Sequence, residues 1–127
     1  MPSLNDEIFD QGLDYADTFA SGSPQVDILS ADPGLTWSNI SGTTLGNKTG
    51  ASIGATADAA TGTGRRVTLA AITDGSVTGN GTATHWAIHD NSAIILASGA
   101  LSGGGQTVSS GNTWTLDAID LIIRDPV

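Results

Sequence analysis

Cysteine is absent from this chain, which removes disulfides, thiolate metal sites and a cysteine nucleophile together. Cationic residues are scarce as well. Lys48, Arg65, Arg66 and Arg124 stand against 13 acids, for a net charge of −9. Each phosphate contact with a nucleic acid needs a cation. The only adjacent pair, Arg65-Arg66, points to opposite faces on a strand, so no direct nucleic-acid partner is expected. No run approaches the roughly 18–20 apolar residues of a membrane span, so no membrane partner is expected either. The acidic opening MPSLNDEIFD lacks the basic region and apolar stretch of a secretory signal. Catalytic signatures are also missing. There is no G-x-S-x-G elbow, and the glycine-rich stretches at 62–64 and 103–105 lack the Lys-Ser/Thr of a phosphate loop.

Charged residues make up 13% of the chain and hydrophobic ones 39%, with Gly, Ala, Ser and Thr dominating the rest. That mixture suits tight turns and thin, closely packed sheets better than a helical bundle. At 127 residues the chain fits a single domain, 1–127, able to bury a core without covalent staples.

The first twenty residues carry the only helical pattern. At about 100° per residue, Leu4, Ile8, Phe9, Leu13, Tyr15, Ala16 and Phe19 share one half of the wheel, opposite Asp6, Glu7, Asp10, Asp14 and Asp17. An amphipathic helix over 4–20 is expected, with Ser3 or Asn5 as its cap. Asp6, Asp10 and Asp14 recur at i, i+4 but lack the D-x-D-x-D-G loop of a calcium site, so they read as a solvated face.

Ser21-Gly-Ser-Pro24 ends that pattern, and 21–64 reads as a loop-rich segment with short strands, one of them Val26–Leu29. From Leu35 to Gly64 the text is polar and punctuated by glycine. Trp37, Ile40, Leu45 and Ile53 are its only candidate anchors.

After Arg65 the alternation sharpens, and 65–127 reads as an antiparallel β core. RRVTLAAIT has strand period. Asp74-Gly75 suits a two-residue type I′ hairpin turn, and Gly79-Asn-Gly81 suits a glycine bulge within a longer strand. Asp90-Asn-Ser92 turns the chain into AIILASGAL, QTVSSGNTWTL holds two more short strands, and 118–124 closes the sheet with Ile119, Leu121 and Ile123 on one face. The expected fold is mainly β: an antiparallel β-sandwich or partial barrel, one N-terminal amphipathic helix and a long polar loop segment.

The stretch TATHWAIHD, residues 82–90, concentrates the chemistry-bearing residues. On a strand, Trp86 and Ile88 form the core pair, while His85 and His89 share the other face about 13 Å apart at ~3.3 Å per residue. Ligands of one zinc ion sit about 2 Å from it, so these two cannot meet on one metal. His85 and His89 are therefore expected at outward polar positions, with no catalytic role. Asp117 and Asp120 differ in parity and point apart. Trp37, Trp86 and Trp114 read as core rather than a carbohydrate platform. No catalytic residue, metal site or cofactor is expected, and the chain is not expected to be an enzyme.

Residues 65–126 resemble small β-rich structural proteins of tailed bacteriophages. The likeness lies in the G-T-A-T-H-aromatic-hydrophobic strand from Gly81, the Asp-containing turn, the short apolar strand, the loop opening at Ser-Gly and the alternating closing strand. The segment Ser30-Ala-Asp-Pro33 after a helix is similar as well, and the N-terminal half matches loosely. The resemblance implies a non-enzymatic virion protein made in the bacterial host cytoplasm. A capsid decoration, or cement, protein comes first: a homo-oligomer or multi-copy assembly gripping the major capsid protein or other virion proteins. A tail, baseplate or fibre-associated protein contributing to host-surface glycan attachment is the alternative it implies.

Overall fold

The computed structural model describes residues 3–4, 19, 24–54, 57–58, 64–101 and 105–123. Its organising element is a seven-stranded antiparallel sheet. At the centre, β2 (Gln25–Leu29) lies between β3 (Thr44–Lys48) and β8 (His85–His89), with Ile28 opposite Trp86 and Val26 opposite Ile88. Beyond β8 come β9 (Ile95–Ala100) and, at one margin, β1 (Ser3–Leu4). Beyond β3 come β6 (Ile72–Val77) and, at the other margin, β11 (Thr113–Leu116). The margins do not meet, so the sheet is not closed into a barrel.

Strands at the centre are buried on both faces, which is why QVDIL and HWAIH carry little exposed polarity. One face packs against a three-stranded sheet in which β5 (Arg65–Leu69) is flanked by β4 (Ala57–Asp58) and β12 (Ile119–Ile123). Val67, Leu69 and Leu121 from that sheet join Val26, Ile28, Trp86 and Ile88 in one apolar cluster, giving a sandwich-like arrangement. A third pair, β7 (Gly81–Ala83) with β10 (Gln106–Val108), adds Ala83 and Val108 to the same cluster.

The opposite face of β2, β8 and β9 is covered by the chain from Pro33 to Thr43, which includes the one-turn helix α1 (Ser38–Ser41). Ile40 packs there with Leu29, Ala87 and Ile95. The buried Ser98 hydroxyl donates to the Gly34 carbonyl at 2.6 Å, and Ser30 N–H to the Thr43 carbonyl at 2.9 Å, tying both ends down.

Several expectations need correction. Leu4 lies in a strand rather than opening a helix, Phe19 is helical, and the rest of 4–20 falls outside the described residues. The 35–64 segment does hold a short strand, but it is more than a polar loop: β3 sits inside the main sheet, with Leu45 buried and Trp37 and Ile53 packed against the core clusters. Asp74-Gly75 makes no hairpin, because β6 runs straight through it. Its register partner Trp114 lies over Gly75, where a Cβ would come within 2.1 Å of the indole. Glycine is thus present to admit a ring, not to turn the chain. Gly79 to Gly81 is no bulge either. There the chain leaves one sheet for another, Thr78 and Gly79 both donating to the Leu45 carbonyl.

Candidate functional site

The most concentrated polar chemistry lies on the α1 side of the main sheet. Asp27 and His89 project from neighbouring strands, both buried, with His89 Nε2 2.9 Å from Asp27 Oδ1. A carboxylate buried in VDIL costs several kcal/mol unless its oxygens find donors. Here three are supplied: the ring of His89, the Gln25 amide at 2.9 Å on the same oxygen, and the Thr44 hydroxyl at 2.7 Å on the other. Burial by itself would raise the Asp27 carboxyl. The hydrogen bonds from His89, Gln25 and Thr44 outweigh it and hold Asp27 below the usual carboxylate range.

The turn after β8 fixes the other side of the ring. Asp90 Oδ1 accepts the N–H groups of Ser92, Ala93 and Ile94 at 2.9, 2.9 and 3.0 Å, and Asn91 adopts a left-handed φ of 59°. That Asx-type turn presents the Asn91 N–H to His89 Nδ1 at 3.0 Å. A backbone N–H only donates, so Nδ1 accepts and the ring proton sits on Nε2, aimed at Asp27. Trp37 then packs on the ring at 5.0 Å and 64°.

This arrangement bears on nucleophilic catalysis. A general base of the Ser-His-Asp type offers one nitrogen to its carboxylate and keeps the second free to take a proton from the nucleophile. His89 has none to spare: Asp27 holds one and Asn91 the other. The pair is built to hold strands and turn together.

The outward placement expected for His89 is therefore wrong. It is fully buried, because Pro33–Thr43 covers a face that strand alternation alone leaves open. His85 is half-buried on the same face, with Nδ1 2.9 Å from the Thr84 hydroxyl, and the two imidazoles do not share a partner. Among the described residues, no group of three or more His, Cys, Asp or Glu is gathered as a metal site would need.

No family model, curated protein or solved structure matches this chain.

The remaining candidates are placed as follows. Trp86 and Trp114 are core, as expected, whereas Trp37 is half-buried at the wall of a cleft. Asp120 is committed to Thr68 at 2.6 Å and Arg66 at 3.0 Å, while Asp117 is exposed ahead of β12. The Thr68 hydroxyl first, then Arg66, hold the Asp120 carboxyl below its usual range despite burial. Arg65 and Arg66 do diverge, Arg66 half-buried toward Asp120 and Arg65 exposed. Asp6, Asp10, Asp14, Gly62, Thr63, Gly103 and Gly104 lie outside the described residues.

Sequence reasoning missed the cleft itself. It has a volume of about 280 Å³ and is lined by Trp37, Ser38, Ile40 and Ser41 of the cover, by Gln25, Asp27, Thr44 and Asn47 of β2 and β3, and by His89 and Asn91 at the end of β8 and its turn. One signal for it was available: an aspartate inside the apolar run VDIL demands a buried polar partner.

Proposed function

We propose that this protein is a non-enzymatic structural component of a tailed-bacteriophage virion, a capsid decoration or cement protein that binds in many copies to the major capsid protein and to its own neighbours. The observation carrying the reading is the closed Asp27–His89 pair. In the one buried histidine–carboxylate pair described, both ring nitrogens and both carboxylate oxygens are engaged by the framework, as expected of a chain whose work is holding shape. The resemblance of residues 65–126 to phage structural proteins supplies the setting.

Two features suit such a role. Strand β11 has β6 as its only partner among the described residues, so its outer edge offers backbone groups to a neighbouring chain. Its side chains Thr113 and Thr115 are exposed and uncharged, which lowers the desolvation cost of a contact. Copies each burying on the order of 1,600 Å² multiply modest affinities across a shell.

The test compares complete particles with particles stripped of this protein during heating and on transfer to low salt. Complete particles should keep their DNA to a higher temperature. Equal resistance would defeat cementing.

A tail, baseplate or fibre-associated attachment protein is the second reading, favoured by the position of Trp37 at the cleft wall. Antibody labelling of intact particles separates the two, on the head for the first and on the tail for the second.

A further inference from the structure

The cleft beside α1 combines features the framework does not consume. The side chains of Ser38, Ser41, Asn47 and Asn91 make no hydrogen bond among the described residues, although they converge on one concavity. Asn47 is half-buried there, opposite Asp27 in the register of β2 and β3. Trp37 forms a wall, its indole steadied edge to face against His89.

The chemistry of this lining selects its ligand. Lys and Arg are absent from it, and the chain carries a net charge of −9, so an anion gains nothing. Both oxygens of the one carboxylate in the lining, Asp27, already accept, Oδ1 from His89 and Gln25 and Oδ2 from Thr44, and no second acid lines the cleft to complete a site for a metal cation or an ammonium group. Trp37 and Ile40 give the lining apolar surface, but a purely aliphatic ligand would cover the Ser38, Ser41, Asn47 and Asn91 side chains without giving them a partner. Hydroxyls and primary amides that both donate and accept, beside one aromatic wall, match a molecule with alternating hydroxyls and C–H faces. The volume of about 280 Å³ lies just under the roughly 300–1,000 Å³ of drug-sized ligand pockets, which suits a small ligand.

We infer that the cleft formed by Trp37, Ser38, Ser41, Asn47 and Asn91 is a binding site for a neutral saccharide, one or two sugar rings at a time. The inference deepens the attachment reading by giving it a site and a ligand class. It concerns the ligand only and holds for a head or a tail location.

The test uses the three indole N–H signals of the isotope-labelled full chain as reporters. The protein is titrated separately with glucose, galactose, mannose, N-acetylglucosamine and their β-linked disaccharides, and with sialic acid and glucose 6-phosphate as charged counterparts. At least one neutral sugar should shift the Trp37 indole saturably while the buried Trp86 and Trp114 indoles stay in place. Asn47→Ala and Ser41→Ala remove groups with no partner in the fold. Each should weaken binding by roughly three- to tenfold, the worth of one net hydrogen bond, with the Trp86 and Trp114 signals confirming an intact core. A silent Trp37 across the panel, a response to charged sugars alone, or affinity untouched by both variants would each overturn the assignment. Tail labelling combined with a silent Trp37 would sink the saccharide site and leave the location standing. Head labelling with sugar binding would do the reverse.

Discussion

Trp114 lies across Gly75, its register partner on the neighbouring strand, so closely that a Cβ at Gly75 would stand 2.1 Å from indole Cε2. The same device recurs at Trp86 and Gly99, where the approach would be 2.8 Å. Each tryptophan covers a backbone that has no side chain of its own, the arrangement known to rescue glycine within sheets. Gly75→Ala should therefore cost about 3 kcal/mol, the upper range for overpacking, and Gly99→Ala somewhat less. Gly42→Ala, at a helical φ of −83° with nothing within 4 Å, should be neutral or gain about 0.4–1 kcal/mol. Urea unfolding ranks the three, and a Gly75→Ala protein as stable as wild type would remove the Trp114 packing from the account.

His89→Ala and Asp27→Ala should each cost about 3 kcal/mol or more, because either leaves a buried polar group without its partner. The double variant should lose less than the two combined, with a coupling of about 1–3 kcal/mol. His85→Ala, at a half-buried position, should stay within about 1 kcal/mol of wild type. A thermodynamic cycle by denaturant unfolding tests this, and strict additivity would show that the two side chains do not interact.

Acid should destabilise the fold through the carboxylates it holds ionised. Asp27, Asp90 and Asp120 all lie below the usual value of 3.8 in the folded chain. For Asp90, burial acts upward and the backbone N–H donors of Ile94, Ala93, Ser92 and Asp90 itself outweigh it. A depressed folded pKa means the unfolded chain binds more protons. The stabilisation is accordingly present above about pH 4 and drains away as pH falls through the folded values. Unfolding free energy measured from pH 6 down to pH 2 should decline in that window, and Asp27→Asn should flatten the decline. An unchanged slope in the variant would contradict the assigned role of Asp27.

Ser98→Ala removes the 2.6 Å bond that pins Gly34, and with it one tether of the cover over His89. A loss of about 1 kcal/mol is expected. Hydrogen exchange should quicken at the Ile40 and Thr43 amides, which donate within the cover to Trp37 and Ile40. The β5 and β12 ladder should not respond. Uniform acceleration everywhere would mean the cover has no independent stability.

Much of the sheet was legible because alternation reports burial directly. Val67 and Leu69, Trp86 and Ile88, and Leu121 all face the core as their spacing requires. What was not legible depended on partners far along the chain. Asp-Gly at 74–75 is locally a turn, and only Trp114, arriving later, makes it a strand. His89 reads as an outward residue until Ile40 and Trp37 fold over its face. Its partner Asp27 lies 62 positions away, and no periodicity links them. Beyond the signal of an aspartate in an apolar run, the cleft was illegible for the same reason, its lining coming from α1, β2, β3 and the turn after β8.

The Asp27–His89 pair is framework, with both ring nitrogens closed. Long-range proton–nitrogen correlation of the His89 imidazole tests it most directly. A protonated Nε2 with a slowly exchanging proton is expected, with an unprotonated Nδ1 shifted by the Asn91 hydrogen bond. A ring protonated on Nδ1 with a bare Nε2, the form a general base presents to a nucleophile, would contradict it.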